Sequence, residues 1–255
     1  MSITTYYRLN RNLAAYCRKK VDICFVVDQS GSIVENDQNN WQLVKDFVYN
    51  IIRHFDIGYD ETRVGLVTFA NYGITRWNLT SYFDKNAIKG ALDRISAGNG
   101  RTNTYMGLRR MRTEVFNVGN DRPDVKNVAI VVTDGKSTIN TAMTVPEAGA
   151  ARDQGIQIYV VGVTSNVKED ELKAISSPPH ELNKNYWTTP DFRDLASIVS
   201  SLQTETCSDV INAGKPLTVW LPTLPPQPPI VPVRMRITRT RWCCMALRLT
   251  NTIID

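Results

Sequence analysis

The sequence predicts an α/β fold: a doubly wound, mostly parallel six-stranded sheet with one antiparallel edge strand and helices on both faces. Three observations carry this. Apolar, β-rich runs alternate with segments of helical period. Most of those runs are apolar at every position, as strands covered on both faces must be. One run instead alternates polar with apolar and follows its predecessor after a short link, the pattern of an antiparallel edge strand.

In chain order, "VDICFVVD" (21–28) reads as a buried strand. "NWQLVKDFVYNIIRHF" (40–55) places Trp41, Val44, Phe47, Val48, Ile51, Ile52 and Phe55 at helical spacing. "RVGLVTFA" (63–70) is the second strand, and "ITRWNLT" (74–80) is the alternating one, joined through Asn71–Gly73. "DKNAIKGALDRI" (84–95) is a helix with an aspartate at its start, and "NTYMGLRRMRTEVF" (103–116) is another. "NVAIVVTD" (127–134) is a wholly apolar strand ending in a carboxylate. "VPEAGAARDQG" (145–155) reads as a helix with Pro146 in its first turn and Gly155 as its stop. "IQIYVVGV" (156–163) is a strand, "KEDELKAISS" (168–177) a short helix, "NYWTTPD" (185–191) a last strand and "FRDLASIVSSLQTE" (192–205) a closing helix.

These elements make residues 21–207 one domain, in keeping with 255 residues and 42% hydrophobic content. Residues 1–20 form an N-terminal extension. After 207 the periodicity stops. Seven of the twelve prolines fall between Pro216 and Pro232, so 208–255 reads as a Pro-rich linker and an irregular basic tail. The net charge of +5 belongs to the two ends: residues 1–20 carry five basic and no acidic residues, whereas 21–207 carry 19 basic and 23 acidic ones. Scattered basic residues without a recognised motif read as solvated ends, so no nucleic-acid partner is expected. No apolar run is long enough to span a membrane. The first twenty residues lack the apolar core of a secretory signal, which leaves a cytosolic protein or a chain that has lost its leader as the two expectations.

Of five cysteines, Cys24 lies inside an apolar run and reads as a buried free thiol. Cys17 and Cys207 flank the first and last periodic elements, where the ends of a domain come close, so they are the disulfide candidates and imply an oxidising compartment. "NLT" at Asn78–Thr80 is a glycosylation acceptor if the protein is secreted.

Ligands of an open parallel sheet bind outside the carboxyl ends of its strands. Two strands end there in a carboxylate, "CFVVDQSGS" at Asp28 and "AIVVTDGKS" at Asp134, and "GNGRTNTYMG" brings Thr102 and Thr104 to the start of a helix. Taken singly, these segments are also ordinary turns and helix caps. Together they present two carboxylates and several hydroxyls to one rim. Oxygen-only donors of modest charge suit a hard cation, Mg²⁺ first, with Mn²⁺ and Ca²⁺ as alternatives. Zinc would want cysteine or histidine, and the two histidines, His54 and His180, have no ligand spacing. A cation so held still lacks an anion, which an Asp or Glu of a partner would supply.

"DQSGSI", "GNGRTNTYMGL" and "VVTDGKS" resemble, in order and spacing, the three parts of the metal-ion-dependent adhesion site of the von Willebrand factor type A domain. The resemblance covers about 21–207 and is closest to matrilins, von Willebrand-domain collagens and the inserted domain of integrins. It implies that Asp28, Ser30, Ser32, Thr102 and Asp134 are the metal residues. Ser30 and Ser32 would bind directly, Thr102 directly or through water, and at least one aspartate through water. It also places Cys17 and Cys207 where extracellular members close the domain with a disulfide. The implied function is metal-dependent adhesion to an extracellular matrix or cell-surface protein that offers an acidic residue. Gln29 and "GNG" depart from the family pattern without removing a ligand.

Two other readings compete with it. An intracellular member of the same fold, acting in complex assembly, fits the absent leader but not the cysteine placement. A Mg²⁺-dependent hydrolase needs a base near the metal; no histidine lies in these loops, and Lys136 is the one titratable candidate, so no catalytic residue is assigned.

Overall fold

Strands with apolar residues on both faces must be covered twice, and strands 21–28 and 127–134 occupy the middle of the sheet. The computed structural model describes residues 20–117 and 119–212, which fall in the first of the chain's two compact units, Met1–Pro216; the second, Leu217–Asp255, lies outside the described residues. The strands are β1 (Val21–Asp28), β2 (Arg63–Phe69), β3 (Gly73–Trp77), β4 (Lys126–Thr133), β5 (Gln157–Val163) and β6 (Tyr186–Thr189). They lie in the order β3-β2-β1-β4-β5-β6. All neighbours are parallel except β2 and β3, so the alternating segment is the antiparallel edge, as expected.

After a single helical turn, Ser32–Glu35, the longer helices are α1 (Asn40–Ile52), α2 (Lys85–Asp93), α3 (Thr104–Arg110), α4 (Thr141–Asp153), α5 (Glu169–Ile175) and α6 (Leu195–Asn212). Alternate residues of each strand point to opposite faces. Ile23, Phe25 and Val27 of β1 pack with Phe47, Ile51, Ile88 and Leu202, beneath α1, α2 and α6. Cys24 and Val26 pack with Leu108, Ala148 and Leu172, beneath α3, α4 and α5. Phe25, Phe47, Phe55 and Trp187 are almost completely buried; each such side chain contributes about 1.5–3 kcal/mol relative to exposure.

Element boundaries differ from expectation where a tertiary contact outweighs local preference. Helix α4 begins at Thr141, four residues earlier than expected, behind Asn140 in the left-handed conformation (φ 53°). Pro146 therefore sits in the second turn and forgoes one helical hydrogen bond. The Thr144 and Ser137 hydroxyls, 3.1 Å apart and buried, tie this early start to the β4 loop. The 103–116 helix is α-helical only to Arg110 and then widens into a π turn, Met111–Val115, closed by Phe116 N–H to Met111 O at 3.0 Å. The closing segment starts as a 3₁₀ turn, Phe192–Asp194, capped by Asp191, and α6 runs past Cys207 to Asn212.

The path of the chain fixes two ends for the sheet. The parallel strands all finish at one rim, and α1 and α6 both lead away from it. The opposite end, the base, is where β1 starts and toward which α6 runs. A buried pair closes the base: Arg122 donates to both carboxylate oxygens of Asp22, at 2.5 and 3.1 Å. No helix among the described residues is long and apolar enough to cross a membrane.

Candidate metal centre

The register of the central strands assembles the site. Val27 of β1 stands opposite Val132 of β4, so one residue further on Asp28 meets Thr133, and Asp134 follows at the rim. Thr133 Oγ1 donates to Asp28 Oδ2 at 2.7 Å. The other oxygen, Asp28 Oδ1, accepts from the backbone N–H of Ser30 at 2.9 Å, an Asx turn that reverses the chain directly after β1. That turn places Ser30 Oγ 3.1 Å from Ser32 Oγ. Ser32 Oγ then donates to Asp134 Oδ1 at 3.0 Å. Thr102 Oγ1 approaches Ser30 Oγ at 3.5 Å. All five residues singled out in the sequence thus form one connected set of oxygens, drawn from three loops. Asp28, Ser30, Thr102 and Asp134 are buried, and Ser32 is half-buried.

The third loop is held by backbone. Gly31 N–H donates to Gly100 O at 3.0 Å, and Thr138 N–H donates to Thr102 O at 2.8 Å. Thr102 N–H in turn donates to Thr138 Oγ1 at 3.0 Å. The loop presses so closely on β1 that a Cβ on Gly98 would lie 2.1 Å from the Gln29 carbonyl oxygen. Gly100 takes φ +103°, a conformation open to glycine and costly for other residues. On the far side, Thr164 Oγ1 donates to Asp134 O at 3.0 Å. Thr133, Thr138 and Thr164 are the functional residues that sequence reasoning missed. Thr133 stands beside a predicted ligand, and its parity with Asp28 across the sheet was the one available signal. The other two pair with residues 36 and 30 positions away, for which the sequence carries no mark.

Two carboxylates lie in this rim, and among the described residues no cationic side chain pairs with either. Burial raises the pKa of Asp28 despite the hydrogen bonds from Ser30 and Thr133. Burial, and then the charge of Asp28, push Asp134 up to about 7, with the Ser32 hydroxyl opposing. Buried negative charge with only hydroxyls and N–H groups around it is what a bound cation would relieve. The donors are carboxylate and hydroxyl oxygens alone, which fits a hard divalent ion. Among the described residues there is no cluster of three or more His, Cys, Asp or Glu, so a nitrogen- or sulfur-liganded centre has no basis in them. His54 bonds to Asn50 O at the end of α1 and His180 to Ser176, both away from the rim loops. Cys24 is a buried free thiol, as expected. Lys136 is exposed and makes no hydrogen bond with the site.

The remaining candidates stand apart from the rim. Cys207, on α6, is disulfide-bonded; Cys17 lies outside the described residues. Asn78 is half-buried, and its Oδ1 accepts from Thr80 N–H, Thr80 Oγ1 and Ser81 Oγ at 2.9–3.0 Å.

Fold and rim together are an open α/β sheet with carboxylate and hydroxyl oxygens gathered outside the carboxyl ends of its strands. The chain belongs to the von Willebrand factor type A domain family, whose model matches residues 22–201. It is 36% identical over 185 residues to the collagen alpha-1(XX) chain of Mus musculus, covering 71% of this chain and 13% of that one. It is 31% identical over 188 residues to matrilin-1 of Gallus gallus, covering 73% and 36%. The chain thus spans a small part of the curated relatives it matches. Among solved structures it is similar to proximal thread matrix protein 1 from the mussel byssus with a zinc-occupied MIDAS motif: TM-score 0.70, 32% identity, 80% of this chain and 51% of that one. These relatives are collagens and matrilins, and the mussel protein is named a thread matrix protein.

Proposed function

We propose that this domain is a metal-dependent adhesion module that grips a carboxylate of a partner protein through a Mg²⁺-type cation. The observation that carries the reading is the connected set of Asp28, Ser30, Ser32, Thr102 and Asp134, whose two buried carboxylates have no cationic partner among the described residues. Ser30, Ser32 and Thr102 would offer hydroxyl oxygens, and Asp28 and Asp134 the charge, with at least one aspartate acting through water. When bound, the ion supplies Lewis acidity and an open position for an acidic side chain. The protein's own part is orientation: Thr133 fixes Asp28, Thr138 fixes Thr102 and Thr164 fixes the turn of Asp134. The zinc in the mussel structure's MIDAS supports a divalent cation; the all-oxygen donor set favours Mg²⁺, with Mn²⁺ and Ca²⁺ as alternatives.

The partner would be an extracellular matrix or cell-surface protein with an exposed Asp or Glu, in line with the collagen and matrilin relatives. An extracellular setting agrees with the disulfide at Cys207, for which we propose Cys17 as partner, and makes Asn78 the glycan acceptor. The Pro-rich 208–255 segment would then act as a linker beyond the 21–207 domain.

Calorimetric titration of the whole chain with Mg²⁺, Mn²⁺ and Zn²⁺ tests this. One ion should bind the wild type, and Asp134→Ala and Ser30→Ala should each lose it. Undiminished binding in both variants would move the metal elsewhere and end the reading.

A further inference from the structure

One charged group at the rim has no role in holding the cation. Leu66 of β2 faces Trp77 of β3 and Val67 faces Thr75, so Arg76 is the extra residue of a β-bulge on the edge strand. A bulge re-aims the side chain it carries. The Arg76 guanidinium donates through Nε to Thr68 Oγ1 at 2.7 Å and through Nη2 to Gln29 Oε1 at 2.8 Å. Gln29 stands between Asp28 and Ser30, and its own Nε2 donates to Ser96 O at 2.5 Å. One glutamine side chain therefore separates Arg76 from the metal centre.

A cavity of about 260 Å³ opens here, lined by Arg76, Gln29, Thr68, Asn71 and Asn99 among others. Its wall is closely packed: the loop through Gly98 and Gly100 rests on the Gln29 backbone and the Asn71 side chain with no room for a Cβ. Asn71 Oδ1 is taken by Arg101 N–H at 2.9 Å and Asn99 Oδ1 by Gly100 N–H at 2.7 Å. Both amides keep their N–H donors for a ligand, beside one remaining lone pair on each oxygen. No acidic side chain among the described residues pairs with Arg76, and burial alone acts on it, lowering its pKa from the ordinary arginine value. Tyr72 and Ile74, both exposed, flank the mouth with apolar surface. A positioned, partly desolvated guanidinium among amide donors, lacking a counter-charge, is built to receive a carboxylate.

We propose that this cavity binds a second carboxylate of the same partner. The partner would be an extended segment bearing two acidic residues two or three positions apart, one at the metal centre and the other on Arg76. An extended chain rises about 3.3 Å per residue, so such a pair spans roughly 7–10 Å. The inference rests on the adhesion reading above for its first contact.

The probes are synthetic Gly-rich peptides carrying one Asp, or Asp-Gly-Glu, or Asp-Gly-Gly-Glu, with binding to the whole chain followed by fluorescence anisotropy in millimolar Mg²⁺. One of the two-acid peptides should bind about tenfold more tightly than the one-acid peptide. Arg76→Gln should abolish that advantage and leave the one-acid affinity unchanged, and Arg76→Lys should restore part of it. The Arg76 Nε–Hε resonance should move with the two-acid peptide, even in Asp134→Ala. Equal affinity of all three peptides for wild type, or an advantage that survives Arg76→Gln, overturns the proposal. Mg²⁺-dependent binding with an unmoved Arg76 resonance overturns it alone. Binding that ignores Mg²⁺ while Arg76 responds sinks the metal reading and leaves the Arg76 contact standing. No binding, with Arg76 unmoved, overturns both.

Discussion

Asp134 is held in a position that an isolated carboxylate would avoid. Its pKa is pushed up to about 7 and that of Asp28 is raised as well, by burial first. Both groups therefore bind protons more tightly in the folded state than in the unfolded one. Without metal, stability is fully present below the unfolded carboxylate pKa near 4 and falls as pH rises toward 7. Urea melts of the metal-free protein at pH 5 and pH 8 should show the pH 8 form weaker by about 1–3 kcal/mol. The sign reverses with Mg²⁺ present, since ligands must shed protons to bind, and affinity should rise from pH 5 to pH 8. Thr133→Val removes the donor to Asp28 Oδ2. It should cost roughly 1–3 kcal/mol in urea denaturation and weaken Mg²⁺ binding about 10- to 100-fold in calorimetry. At this scale the sequence was readable for the ligands and not for their supports. Asp28, Ser30 and Ser32 are two positions apart and Asp134 ends a strand, whereas Thr138 and Thr164 act through contacts that exist only after folding.

Among the elements, the loop entering α3 bears most directly on the site. It carries Thr102, and its close approach to β1 leaves no volume for a side chain at residue 98. Gly98→Ala forces Cβ against the Gln29 backbone, so the loop must lift. The expected result is a fall in Mg²⁺ affinity of tenfold or more by calorimetry, with the far-UV circular dichroism spectrum unchanged. Strand periodicity was legible almost to the residue: 21–28 is β1 as read, and the other strands shift by a few positions at most. Helix ends were less so. Pro146 suggested a first turn because proline is costly further in, yet the Thr144–Ser137 contact draws the helix back to Thr141. Nothing local marks the π turn at Met111–Val115, whose wider winding accompanies Arg112 bonding Glu147 on α4.

Across the whole molecule the site is a property of the sheet. Asp28 and Asp134 are neighbours only because β1 and β4 pair in register, so an unfolded chain offers no such site. Divalent ion should then raise the unfolding midpoint of wild type, by the equivalent of about 2.7 kcal/mol at a hundred times Kd, and leave Asp134→Ala unmoved. Thermal melts with and without Mg²⁺ check this. The doubly covered sheet was the most legible feature of all, because uninterrupted apolar runs such as 128–132 admit no single-sided arrangement.

The base of the sheet has a mechanical consequence. β1 begins there and α6 runs back toward it; with the proposed Cys17–Cys207 bridge closed, tension crosses the domain through the disulfide, and with that bridge reduced it enters along β1. That strand is flanked by β2 and β4, with seven residue pairs to each, and a pull along its axis loads both ladders in shear. The loop bearing Ser30 and Ser32 hangs from the far end of the same strand. With the bridge reduced, both ladders would have to shear before the loop bearing Ser30 and Ser32 is pulled away; with it closed, that loop is shielded from the load.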